Sequence, residues 1–135
     1  MTPGLMTPGI RAWICAAGLA LMAGQPARAD LELGMVERVG CAYCVLWDRE
    51  IAPIWPKTRE GRTAPLRRID LDANLPGDVR FASSPRFTPT FVLLRDGLEI
   101  GRLEGYPGED FFWGLIGAML QQQPEWAQTD EDEGG

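Results

Sequence analysis

"VGCAYCVLW" runs from Val39 to Trp47 and sets Cys41 and Cys44 three residues apart, with Tyr43 between them. Metal clamps, haem attachment sites, structural staples and redox switches all use this spacing. The chain contains no histidine. A structural zinc site needs four ligands, typically Cys and His, and one cysteine pair falls short of that. Haem attachment requires a histidine directly after the second cysteine, where this chain has Val45. Hydrolytic schemes built on Ser-His-Asp or Cys-His fail for want of histidine, and no methionine cluster for copper lies nearby. No metal is expected. Dithiol–disulfide chemistry remains, or an inert bridge.

As a staple, a Cys41–Cys44 bridge would be weak, because it closes a very short loop and so constrains the unfolded chain little. As a redox device it is well placed. The sequence from Cys41 onward carries apolar residues at helical spacing, through Cys44, Trp47, Ile51 and Ile54 or Trp55. Cys41 then stands at a helix N-terminus, where unpaired N–H groups and the helix dipole favour a thiolate. Cys44, one turn on, is within reach to resolve a mixed disulfide.

The surroundings suit disulfide chemistry. Met-Thr-Pro-Gly occurs twice, at Met1 and Met6, so either methionine can be the start. Arg11, an apolar run over 12–24 and Ala27-Arg28-Ala29 then read as a cleavable secretory leader over 1–29, cut after Ala29. The run is shorter than the roughly 20 apolar residues that span a bilayer, and no Arg-Arg pair marks a twin-arginine route. Export places the mature chain where disulfides persist. Residues 30–135 carry 11 Lys+Arg against 19 Asp+Glu, a net charge of −8. Five of these acids fall in "PEWAQTDEDEGG", residues 124–135, which reads as a solvated, flexible acidic tail. No basic stripe for nucleic acid is present.

The segment between, 30–123, reads as one domain. "LELGMVERV" (31–39) is a strand entering the cysteines, and a helix follows from Cys41, kinked or broken by Pro53 and Pro56. "LRRIDLD" (66–72) is a second strand, parallel to the first as in a βαβ unit. A Pro-, Gly- and Ser-rich loop with room for a short helix covers 74–84. "TFVLLRDGLEIGRLEG" is a hairpin turning at Asp96-Gly97. "YPGEDFFWGLIGAML" is a closing helix with Phe112, Leu115, Ile116 and Met119 on one face, its Gly114 and Gly117 suggesting close packing on the sheet. The expected fold is α/β, a four-stranded mixed sheet with helices on both faces.

"GCAYC", "TPTFVLLRDG" and "GRLEGYPG", in this order, resemble the thioredoxin superfamily over 31–123. Together with the leader, "MVERVGCAYCVLWDREIAPIWPKTREG", "APLRRIDLD" and "FTPTFVLLRDGLEIGRLEGYPGEDFFW" look like the SoxS-type periplasmic thioredoxins of bacterial sulfur-oxidation clusters. The resemblance implies a thioredoxin-like fold and a monomeric periplasmic thiol-disulfide oxidoreductase that needs no cofactor. Cys41 is then the nucleophile and Cys44 the resolving cysteine of a redox-active disulfide. The family's cis-proline motif falls on Thr88-Pro89, which with Tyr43 would contact substrate. The implied partners are a client protein disulfide, a sulfur-oxidation carrier protein among them, and a membrane thiol transporter as electron donor. Two departures matter. The dipeptide between the cysteines is Ala42-Tyr43, and Met35 stands where thioredoxin carries a buried acid. Glu37 and Asp48 are therefore candidate proton acceptors. The alternative readings are a redox-sensing binding module and a periplasmic thioredoxin of another pathway such as cytochrome c maturation.

Overall fold

The computed structural model describes residues 1–4 and 30–134. The apolar run, Met6 and the cleavage point after Ala29 lie outside the described residues. The chain order is β1 (Leu31–Glu37), α1 (Ala42–Glu50), a 3₁₀ turn (Trp55–Lys57), α2 (Arg59–Thr63), β2 (Leu66–Asp70), β3 (Thr90–Arg95), β4 (Leu98–Glu104), α3 (Glu109–Gln121) and α4 (Pro124–Glu133).

The strands form one sheet in the order β2-β1-β3-β4. β1 runs parallel to β2, and β3 is antiparallel to both β1 and β4, so the sheet is mixed. The β3–β4 turn holds Asp96 at φ 50° and Gly97 at φ 79°, the double left-handed pattern of a tight hairpin. A Cβ on Gly97 would fall 1.9 Å from the Asp78 carbonyl oxygen, so only glycine fits there.

Alternation along the central strands sorts the core into two faces. Leu31, Leu33 and Met35 of β1 and Phe91 and Leu93 of β3 point to one face, where they meet Cys44, Trp47 and Ile51, Trp55, and Phe112, Ile116 and Leu120 of α3. Phe112 is the hub, with ring centroids 4.9 Å from Phe91, 5.7 Å from Trp113, 5.8 Å from both Trp47 and Tyr106, and 6.1 Å from Trp55. Val36, Val92, Leu94 and Ile69 point the other way, towards Val79, Leu71 and Phe81. Among the described residues no helix joins that second cluster; an irregular segment takes the place of the helices expected there.

Some local expectations hold in the folded chain and others change. The break expected at Pro53 ends the first helix at Glu50, since Pro53 lacks the N–H that a further turn requires. Thr58 then starts α2, its hydroxyl donating to the Trp55 carbonyl at 2.7 Å and accepting from the Gly61 N–H at 3.1 Å. On α3, Leu115 is exposed and Leu120 takes the buried place expected of it. Neither Gly114 nor Gly117 sits against the sheet; the close approach is at Gly101 of β4, 3.0 Å from the Met119 sulfur as a Cβ would measure it.

The acidic tail is the largest change. Residues 124–133 form a helix instead of a frayed end. The Arg95 guanidinium donates to Glu125 at 2.7 Å and to the Gln123 side chain at 2.9 Å. Arg59 lies 3.8 Å over the Trp126 ring, donates to the Trp126 carbonyl and pairs with Asp130. Thr63 and Thr129 share a hydrogen bond of 2.8 Å. Cations from two distant elements neutralise acids that composition alone sets repelling one another.

Candidate active site

Cys41 is the N-cap of α1, in extended conformation at φ −78° and ψ 104°. Its sulfur accepts the Cys44 N–H at 3.1 Å, one of the donors that a helix start leaves without an intrahelical partner. The two cysteines form a disulfide with Cα atoms 5.2 Å apart. Their environments differ: Cys41 is partly open to solvent, while Cys44 is 4% exposed and belongs to the main core. An opened bridge therefore presents one accessible sulfur at a helix N-terminus and one sheltered sulfur behind it.

Beside the bridge lies a shallow groove of about 190 Å³ lined by Tyr43, Thr88, Pro89, Gly105 and Tyr106. Three residues nominated from sequence, Tyr43, Thr88 and Pro89, are thus neighbours here. The Thr88–Pro89 peptide bond is cis. The Pro89 carbonyl accepts the Gly105 N–H at 2.7 Å, and the buried Thr90 hydroxyl donates to the Phe87 carbonyl at 2.7 Å. Those two bonds fix the residues on either side of Thr88, whose own N–H and C=O have no hydrogen-bond partner among the described residues. They form a short free edge of the kind that pairs with an extended peptide.

Tyr106 was not nominated from sequence, although it lies in the quoted "GRLEGYPG". It is 6% exposed, and its hydroxyl donates to Glu50 at the end of α1 at 2.5 Å. Burial, and then the Glu50 carboxylate, push its phenol well above the usual tyrosine range. It serves the groove as a neutral wall.

Glu37 and Asp48 do not line this groove. Both are gathered by Arg68 of β2, one guanidinium nitrogen on Glu37 at 2.7 Å and the other on Asp48 at 2.6 Å. Arg68 also lies 6.0 Å from the Trp47 ring centroid and 3.9 Å from the Met35 sulfur. Asp48 first, then Glu37, holds the Arg68 guanidinium above its ordinary basicity. No local signal marks Arg68 in the sequence; it reaches the acids because it pairs in register with Met35 on β1.

No family model and no curated protein matches the chain. Among solved structures, the reduced form of the periplasmic thioredoxin SoxS from Paracoccus pantotrophus is 51% identical, aligning over 68% of this chain and 97% of its own with a TM-score of 0.66. Thioredoxin-2, described as a component of malaria parasite protein secretion machinery, is 19% identical over 71% of this chain and 89% of its own, with a TM-score of 0.49. It is too distant to add to the assignment. With 51% identity over an alignment that spans nearly all of the SoxS chain and a disulfide at the head of its first helix, this protein belongs to the SoxS-like thioredoxins and is a thiol-disulfide oxidoreductase.

Proposed function

We propose that the mature protein is a periplasmic reductase that keeps a client cysteine reduced, and that residues 1–29 are the leader that exports it. The observation carrying this reading is the asymmetry of the bridge, with Cys41 partly exposed at a helix N-cap beside a shallow groove and Cys44 buried. In the reduced protein the Cys44 N–H and the helix dipole stabilise a Cys41 thiolate. A client strand docks on the Thr88 edge and its disulfide is attacked by the Cys41 sulfur. One client thiolate leaves, and a mixed disulfide remains. Cys44 then bonds to the Cys41 sulfur, and the second client sulfur leaves with the electron pair. The client is reduced by two electrons, and the protein ends as the Cys41–Cys44 disulfide. A membrane thiol transporter restores the dithiol.

The SoxS likeness, together with the sequence resemblance to the periplasmic thioredoxins of sulfur-oxidation clusters, favours a sulfur-oxidation carrier protein as the client. Cys44→Ala cannot resolve its mixed disulfide, so expressed in its native periplasm it should hold the client covalently. Recovery of a sulfur-oxidation carrier protein supports the proposal. Recovery of cytochrome-maturation proteins alone refutes that client. Electron flow is tested separately by the reduction potential. A value near thioredoxin's, about −270 mV, fits a reductase, and one near −120 mV marks an oxidant.

A further inference from the structure

The resolving step needs a proton acceptor for Cys44, because only a thiolate attacks the mixed disulfide. Cys44 is 4% exposed, so bulk water reaches it poorly. Met35, fully buried in the same cluster, has no basic group to offer. Asp48 follows Cys44 by one helical turn, which makes their side chains neighbours on α1, with Cβ atoms about 5–6 Å apart. Arg68 grips only one Asp48 oxygen, Oδ1, and Oδ2 has no hydrogen bond among the described residues. The same guanidinium is braced by Glu37, by the Met35 sulfur and by the Trp47 ring, all at the wall behind Cys44.

We infer that Asp48 takes the Cys44 proton during resolution, directly or through one water, and that Arg68 is the positioning residue that aims it. Glu37 completes the charge balance from the far side of the guanidinium. This rests on the reading of Cys41 as the attacking and Cys44 as the resolving sulfur. As the Cys44 Sγ–H bond breaks towards Asp48, the sulfur bonds to Cys41 Sγ. The bond from Cys41 to the departing thiol breaks, and that sulfur carries off the electron pair. Asp48 later loses its proton to solvent. The charged groups around this point are Asp48 on α1, Glu37 on β1 and Arg68 on β2. Asp70 pairs with Glu37 in register, and the Arg38–Asp72 ion pair borders it. Phe91 of β3 and Phe112 of α3 bring no charge to the same core.

Mixing the reduced protein with dithiobis(nitrobenzoate) separates the two steps. Cys41 attack releases one thionitrobenzoate, and Cys44 resolution releases the second. Asp48→Asn should leave the first phase unchanged near neutral pH and slow the second by about 10²-fold, the lower end of general-base contributions. Raising the pH should restore the second phase as Cys44 ionises unaided. Arg68→Gln should lower the rate of the second phase alone, since Asp48 loses the guanidinium that aims it. Arg68→Lys should restore that rate part of the way. A second phase at the native rate in Asp48→Asn overturns the inference, as does a loss that appears in Glu37→Gln instead. Release of only one equivalent by the unsubstituted protein overturns the underlying assignment of Cys44 and this inference with it.

Discussion

Exposure divides the two cysteines along the same line as their places on the helix. Cys41 caps α1 and is partly open, whereas Cys44 is packed among Met35, Trp47 and Phe91. In Cys44→Ala the remaining Cys41 thiol should alkylate rapidly near neutral pH. In Cys41→Ala the remaining Cys44 thiol should alkylate slowly, because it is buried in apolar surroundings without the N-cap position. Iodoacetamide kinetics on the two variants check this, and faster reaction at Cys44 would reverse the roles. Phe112 shows the same dependence on surroundings in stability. Its ring meets Trp47, Trp55, Phe91, Tyr106 and Trp113 and has no exposure. Phe112→Ala should cost about 3–5 kcal/mol, read from urea unfolding.

Two glycines on separate helices make opposite predictions at the scale of the element. Gly61 in α2 lies so close to the preceding 3₁₀ turn that an added Cβ would stand 1.8 Å from the Trp55 carbonyl oxygen. Gly61→Ala must push α2 off that turn and break the Thr58 cap, whose loss alone costs about 1 kcal/mol. A fall in melting temperature larger than that of Thr58→Ala is expected. Gly114, midway along α3, has nothing within 4 Å of an added Cβ. Gly114→Ala should therefore stabilise the protein by about 1 kcal/mol through helix propensity alone. Equal behaviour of the two variants in thermal melts would show that the Gly61–Trp55 contact yields without cost.

Attachment of α4 is a property of the whole molecule, since it joins the C-terminus to β3 and α2. Arg95 first, through its bond to Glu125, holds that carboxyl below the usual range, and Arg102 does the same for Glu99. A carboxyl whose folded-state value lies below its unfolded one, about 4.3 for Glu, stabilises the fold fully above that unfolded value. The contribution is lost as the pH falls through the folded value. Acidification below about pH 4.3 should therefore loosen α4 before the core melts, with Trp126 emission reporting its release from Arg59. In Glu125→Gln this acid-dependent phase should shrink. A Trp126 signal that changes only together with global unfolding would mean that α4 is not a separately held element.

Short-range chemistry carried the parts of this protein that its sequence determined by itself. The Cys-Ala-Tyr-Cys start of a helix, the Asp96-Gly97 turn and the order β-α-β-hairpin-α depend on residues a few positions apart, and all are present. The end of α1 before Pro53 is legible for the same reason. Tertiary structure decided whatever depends on partners far along the chain. Arg68 meets Glu37 and Asp48 only because β1 and β2 pair in a particular register, and Tyr106 meets Glu50 across 56 residues. Two of the terminal acids, Glu125 and Asp130, are held in their helix by Arg95 and Arg59, 30 and 71 residues upstream. Composition predicts repulsion among like charges; only the folded chain supplies the cations that cancel it.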